Sequence, residues 1–227
     1  RTILRMPSTI GSSKAAFSSK TTSCRLQHFH LPHPRLRRTA LTTTALLTTF
    51  SALLSSTTPV SSRMCSSWTC SSDSNDGLIT NLVDGDLIRS ASVEAAMRKV
   101  DRGHFTAHAP YRDSPVGIGY NVTISAPHMH AHAMEQLESH ASKPGAKILD
   151  VGCGSGYLTQ AIASMTNDNT VYGIDVVPEL VQLSKRNINK SKAGAAMLKS
   201  GRIVLKDADG WNGLPAQAPF DAIHVGA

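Results

Sequence analysis

Three histidines, His128, His130 and His132, fall within five positions of the stretch NVTISAPHMHAHAMEQL, residues 121–137. On extended backbone, alternate side chains face one side, and three imidazoles could converge on a metal ion. On a helix, positions two apart diverge, and Pro127 immediately before the group suits a helix first turn. No carboxylate or cysteine beside them completes a ligand set at metal spacing, so no metal is expected. What the histidines line depends on the rest of the chain.

The second chemical signal is DVGCGSG, residues 150–156. Glycines at 152, 154 and 156 let backbone approach a ligand closely, and the free amides of a helix start favour polar or anionic groups. Nineteen residues beyond Gly156 stands Asp175, where a strand-end carboxylate can accept hydrogen bonds from both ribose hydroxyls. Strand, glycine turn, helix, strand and terminal acid together point to an adenosine-type cofactor. A dinucleotide fingerprint needs Gly-x-Gly-x-x-Gly to seat a pyrophosphate. Read from Gly152, the last position of that pattern is Tyr157. The spacing here is Gly-x-Gly-x-Gly preceded by Asp150, which resembles the first motif of class I methyltransferases, and that resemblance favours methyl transfer over hydride transfer.

These residues must be held by a framework, and the pattern supplies one. AKILDVG (146–152), TVYGIDV (170–176), GRIVLKDADG (201–210) and FDAIHVGA (220–227) read as short buried strands. YLTQAIASM and the segment opened by Pro178 and Glu179 read as intervening helices. Continuous apolar strands alternating with helices imply parallel pairing and right-handed crossovers, hence a doubly wound, mostly parallel α/β sheet. Upstream, SSDSND (71–76) reads as a polar linker and LITNLVDGDLI as short apolar groups around a turn at Asp84–Asp86. SASVEAAMRKV reads as a helix capped by Ser90, residues 101–127 as loop, and Met129–Ser142 as a helix. Ile223–Val225 reads as a buried strand with nothing after it to extend or cover the sheet. The expectation is a chain truncated at its C-terminus.

Composition narrows the function classes. Of 23 Lys and Arg, nine lie in residues 1–72, which hold no Asp or Glu. The remainder carries 14 basic against 16 acidic residues, so the formal charge of +7 belongs to the leader. A nucleic-acid-binding domain keeps its basic excess on the folded part, so nucleic acid is not expected as a partner. An acid-free, Ser/Thr-rich basic leader reads as a disordered targeting segment for a plastid or mitochondrion, whereas a start at Met64 would leave a cytoplasmic form. The run at 40–54 is short and Thr-rich for a bilayer span, and reads as a signal-type apolar core or as ordinary leader. Cys24, Cys65, Cys70 and Cys153 form no CxxC pair, so structural zinc and a disulfide scaffold are both disfavoured, and a reducing compartment follows.

PYRDSPVGIGYNVTISAPHMHA (110–131), DVGCGSGYLT and PFDAIHVGA together resemble the protein-L-isoaspartate (D-aspartate) O-methyltransferase family. The resemblance covers about residues 77–227, with TISAPHMH its most specific segment and Cys153 a mild departure. It implies a class I, Rossmann-like methyltransferase domain over residues 73–227, its N-terminal part, after the leader at 1–72. The implied cofactor is S-adenosyl-L-methionine, with S-adenosyl-L-homocysteine as product. The implied substrates are L-isoaspartyl and D-aspartyl residues of damaged proteins, esterified on the α-carboxyl to initiate repair. Ser125 matches the active-site serine that contacts substrate and cofactor. Val122, Thr123, Ile124 and His130 match cofactor-proximal positions, leaving His128 and His132 to packing. Asp150, Gly152, Gly154, Ser155, Asp175, Val176, Asp209 and Gly210 match the rest of the cofactor pocket.

Methyl transfer from a sulfonium is an in-line displacement, and an α-carboxylate is already ionised at neutral pH, so no strong general base is required. Alignment and exclusion of water are the protein's tasks. Two other readings stay open: a methyltransferase for a small molecule, and a non-catalytic, truncated or adaptor-like member. A monomer without membrane or nucleic-acid partners is expected. Elsewhere, His104 and His108 read as loop packing and Asp101 with Arg102 as a local ion pair. Trp211 reads as packed on the cleft or core, and LVQLSKRNINKSK as a helix with a solvated basic face.

Overall fold

The computed structural model describes residues 2–5, as backbone, and 70–226. Most of the expected leader, with the apolar run at 40–54, Cys24 and Cys65, lies outside the described residues. Four strands form where the apolar runs place them: β4 (Lys147–Val151), β5 (Thr170–Asp175), β6 (Ile203–Asp207) and β7 (Ala222–Val225). Ile148, Leu149, Val171, Ile174, Ile203, Leu205 and Ala222 are buried, because a parallel sheet is covered on both faces. Each Val, Leu or Ile among them contributes ~1.5–3 kcal/mol. These four strands lie in the order β7-β4-β5-β6, and every neighbouring pair is parallel.

The sheet grows outward from β4 through β5 to β6 and then returns to lay β7 on the other side of β4. That reversal opens a crevice above the carboxyl ends of the strands, where ligands bind in folds of this kind. The register keeps those ends level: Val151 is opposite both Ile174 and Val225, and Asp175 is opposite Asp207. The short strand β1 (Thr2–Arg5) runs along the outer edge of β7. It gives β7 a second backbone neighbour, which the amino-acid pattern did not disclose.

Helices α4 (Tyr157–Ala163), α5 (Pro178–Ile188) and α6 (Lys192–Ser200) form the crossovers. The segment read as one basic helix is two, because the Ser191 side chain accepts from Gly194 N at 3.0 Å and starts α6 afresh. The upstream elements are α1 (Asn75–Asp84), α2 (Ala91–Lys99) and α3 (Pro127–Ala141). The apolar groups between the polar linker and the turn are thus a helix, and the expected turn follows it at Gly85 and Asp86. Ser74 caps the helix through Gly77 N at 3.1 Å, and Leu78, Ile79 and Leu82 bury one face. Gly77, Asn81 and Asp84 dilute the helical period there, which is why the pattern looked broken.

Residues 101–127, read as loop, contain a hairpin of β2 (Val116–Gly119) and β3 (Val122–Ile124). Its turn residues Tyr120 and Asn121 both have positive φ, 54° and 57°, as a two-residue primed turn requires. The register slips at Ile118, between Gly117 and Gly119. Glycines and a bulge leave too few alternating residues for a strand signal. Cys70 is buried and disulfide-bonded, a departure from the expectation of reduced thiols, while Cys153 is free. Among the described residues no helix is long and apolar enough to cross a membrane.

Candidate active site

The glycine turn sits at the end of β4 with Gly152, Gly154 and Gly156 all at positive φ, 82°, 51° and 85°. Left-handed backbone at three alternate positions folds the chain back sharply before α4. Gly152 N and Cys153 N both donate to Ile174 O at 2.9 Å, so the turn is fastened to β5. Gly154 N donates to Asp175 Oδ2 at 3.0 Å, and Val177 N donates to Asp175 Oδ1 at 3.1 Å. The strand-end acid therefore touches the turn directly. From α5, Ser184 Oγ donates to Gly154 O at 2.8 Å and Asn187 Nδ2 donates to Ser155 O at 3.1 Å.

Asp150 lies beneath the turn with 1% of its surface exposed. Thr159 Oγ1 donates to its Oδ2 at 2.6 Å, and His224 Nδ1 is 2.9 Å from its Oδ1. Both carboxylate oxygens are thus engaged inside the protein, bracing β4 against α4 and β7. Val176 beside Asp175 is 71% exposed, an apolar face at the strand ends. Asp209 is exposed and accepts from Trp211 N at 2.9 Å through Oδ1. Gly210 presses on Val151: a Cβ there would stand 2.4 Å from Val151 Cγ1.

The hairpin brings the serine turn to the same place. A Cβ on Gly154 would meet Ile118 Cδ1 at 3.6 Å, so β2 lies over the glycine turn. Val122, Thr123 and Ile124 form β3, with Ile124 buried and Thr123 exposed. β3 runs straight into Ser125, which is partly exposed and whose hydroxyl has no hydrogen-bond partner among the described residues. Pro127 then opens α3. The N-terminus of α3 has no cap of its own; Asp113 supplies one, accepting from His128 N at 3.0 Å.

The histidines diverge. His128 Nδ1 is 2.8 Å from Asp113 Oδ1, His130 is buried, and His132 is exposed. Among the described residues no group of three or more His, Cys, Asp or Glu is arranged to hold a metal ion. The His130 ring lies 4.9 Å from that of Tyr157, and its titration is pushed well below the ordinary histidine value. Burial is the chief cause, with Arg102, His224 and His128 adding to it. Burial also pushes the Cys153 thiol up to about 12, reinforced by Asp150 and opposed by the Ser184 hydrogen bond. A protonated thiol is no nucleophile at neutral pH.

The family model described as protein-L-isoaspartate(D-aspartate) O-methyltransferase matches residues 73–227. The chain belongs to that family. A Caenorhabditis elegans protein-L-isoaspartate O-methyltransferase is 47% identical over 161 residues, covering 70% of each chain. Protein-L-isoaspartate O-methyltransferase 1 of Arabidopsis thaliana is 46% identical over 164 residues, again 70% of each. A solved Plasmodium falciparum structure of this kind, in complex with S-adenosyl-L-homocysteine, superposes with a TM-score of 0.63 at 36% identity. It covers 69% of this chain and 74% of that one.

Sequence reasoning about this isoaspartyl methyltransferase missed three features. Arg102, read as a local partner of Asp101, is buried and reaches Ser125 and His130 instead. Asp101 accepts from Gly103 N at 2.8 Å and Tyr111 Oη at 2.9 Å. Trp211, read as packed, is 92% exposed. Ser184 and Asn187 were hidden on the inner face of a helix whose outer face is basic. Their spacing of three, alternating with Val181 and Ile188, was the one available signal.

Proposed function

We propose that this chain transfers a methyl group from S-adenosyl-L-methionine to the α-carboxyl of L-isoaspartyl, and also D-aspartyl, residues in damaged proteins. The esters then decay through succinimide toward normal aspartate. The observation that carries the reading is the contact of Gly154 with Asp175 beside a serine whose hydroxyl is uncommitted. The donor set suits the cofactor. Alternate left-handed glycines keep the turn free of side chains, Asp175 offers carboxylate oxygens to ribose hydroxyls, and Val176 offers an exposed apolar face to a purine. Bound there, the sulfonium supplies an electrophilic methyl group.

The remaining work falls to the chain. The substrate α-carboxylate is ionised at neutral pH and needs no proton removed. In this reading Ser125 Oγ donates to one carboxylate oxygen and leaves the other free to attack, so the serine orients and does not react. Ile118, over the glycine turn, excludes water from the methyl's path. The absence of any need for a base agrees with a neutral His130 and a protonated Cys153.

Protein is taken as the sole macromolecular partner of a monomeric enzyme. Residues 73–227 carry 14 basic and 16 acidic residues, a balance that supports neither nucleic-acid nor anionic-membrane binding. A substrate panel tests the class. An isoaspartyl peptide is expected to be esterified while small carboxylic acids and catechols are not; methylation confined to the small acids would reverse the assignment.

A further inference from the structure

Arg102 is a full positive charge with no exposed surface and no ion pair among the described residues. Its Nη2 donates to Ser125 O at 2.7 Å and its Nη1 lies 3.1 Å from His130 Nδ1. The guanidinium carbon lies 5.4 Å from the Tyr157 ring centroid, and Nε has no partner. Burying a guanidinium with neither a contacting anion nor a full set of hydrogen bonds is costly, and an apolar side chain of similar volume would fill the space without that cost. Packing alone does not account for it. Its contacts do, because they join three parts of the site: the serine turn, the first turn of α3, and Tyr157, the residue immediately after Gly156.

We infer that Arg102 is a positioning residue for methyl transfer: it sets the serine turn against the glycine turn and fixes the His130 proton on Nε2. The inference rests on the chain being a carboxyl methyltransferase. The tautomer follows from donor counting. Arginine has no acceptor, so His130 Nδ1 must accept from it. Burial and the surrounding Arg102, His224 and His128 keep the imidazole neutral, which leaves its one proton on Nε2. Burial lowers the Arg102 pKa to about 10, while Tyr157 and Asp113 support the charge, so the guanidinium is charged at neutral pH. Among the described residues the buried anion acting on it is the Asp113 carboxylate, engaged by His128 through Oδ1 and unpartnered at Oδ2. The site therefore keeps a positive charge behind the residue proposed to meet an anionic substrate.

The test uses the full chain and two variants. Arg102→Lys keeps the charge without the planar fork, and Arg102→Met keeps much of the volume without the charge. Nitrogen-15 spectra of the unsubstituted protein, taken without substrate, are expected to show His130 as the neutral Nε2–H tautomer. With an isoaspartyl peptide, kcat per folded molecule is expected to fall about tenfold in Arg102→Met and more than about twofold in Arg102→Lys, as misplacement of reacting groups does. Calorimetric affinity for S-adenosyl-L-homocysteine should stay within about threefold of the unsubstituted protein, because the residue acts through Ser125 and His130. A lower melting temperature with kcat per folded molecule within twofold in both variants would reduce Arg102 to a structural part. An Nδ1–H tautomer in the unsubstituted protein would also overturn the inference. Absence of turnover by the unsubstituted chain would strike the methyltransferase reading itself, and the substrate-free spectrum keeps the two failures apart.

Discussion

Asp175 and Gly154 are joined by a 3.0 Å hydrogen bond from the glycine amide to the aspartate carboxylate, linking the end of β5 to the turn that follows β4. The same carboxylate accepts from Val177 N at 3.1 Å. One side chain thus holds both loops bordering the crevice and presents the acid that ribose hydroxyls need. Asp175→Asn removes the charge at nearly constant volume. A hydrogen bond to a charged group contributes ~1.5–3 kcal/mol, so affinity for S-adenosyl-L-homocysteine should drop about 10–100-fold in calorimetry. Unchanged affinity would detach Asp175 from the cofactor.

Ser125 separates binding from turnover. Its hydroxyl has no partner among the described residues, whereas its carbonyl is held by Arg102. In Ser125→Ala the backbone hold persists and only the orienting hydroxyl is lost, worth ~0.5–1.5 kcal/mol. Turnover of an isoaspartyl peptide should fall a few-fold to about tenfold, with cofactor affinity retained. Equal kcat/KM in both proteins would remove Ser125 from its role.

A methyl group at the last position of the glycine turn would be crowded. Gly156 has φ +85°, and a Cβ there would stand 3.0 Å from Ser184 Cβ and 3.1 Å from Ser184 Cα. Backbone strain and crowding add, so Gly156→Ala should destabilise by ~1–3 kcal/mol in urea unfolding. An unaltered midpoint would mean that α5 yields more easily than its hydrogen bonds to the turn suggest.

Glu135 of α3 caps α2. Its Oε1 accepts from Arg89 N and Ser90 N, each at 2.9 Å, and its Oε2 accepts from Ser90 Oγ at 2.8 Å. Burial alone would raise its pKa, but these bonds and the Arg89 charge bring it below the ordinary 4.5. A depressed carboxylate stabilises above its unfolded value and loses that contribution as pH falls through the folded value. Glu135→Ala should therefore cost ~1 kcal/mol at neutral pH, with the gap closing in acid below the ordinary glutamate range. A gap that widened in acid would contradict the assignment.

The fold was legible wherever hydrophobic periodicity ran uninterrupted. β4 to β7, α4 and α5 coincide with their apolar runs, because a parallel sheet covered on both faces demands them, whereas α6 was not separated from α5. The glycine turn and Asp175 were legible because backbone approach to a ligand leaves glycine as its trace. The hairpin was not, since Gly117, Gly119 and a slip at Ile118 erase the alternation. Arg102 was not, because a charged residue after Asp101 reads as surface, and only the tertiary fold shows the cation buried. Trp211 failed the other way, its apolar bulk suggesting packing where the loop after β6 leaves it in solvent.

The central claim is that the crevice beside Ser125 methylates the α-carboxyl exposed by the isoaspartyl linkage. Transfer of a tritiated methyl group to two peptides of one sequence, differing only in an aspartyl or isoaspartyl bond, tests it most directly. The account predicts base-labile label on the isoaspartyl peptide and none on its normal counterpart. Equal labelling of both, or none on either by a protein that binds S-adenosyl-L-homocysteine, would contradict it.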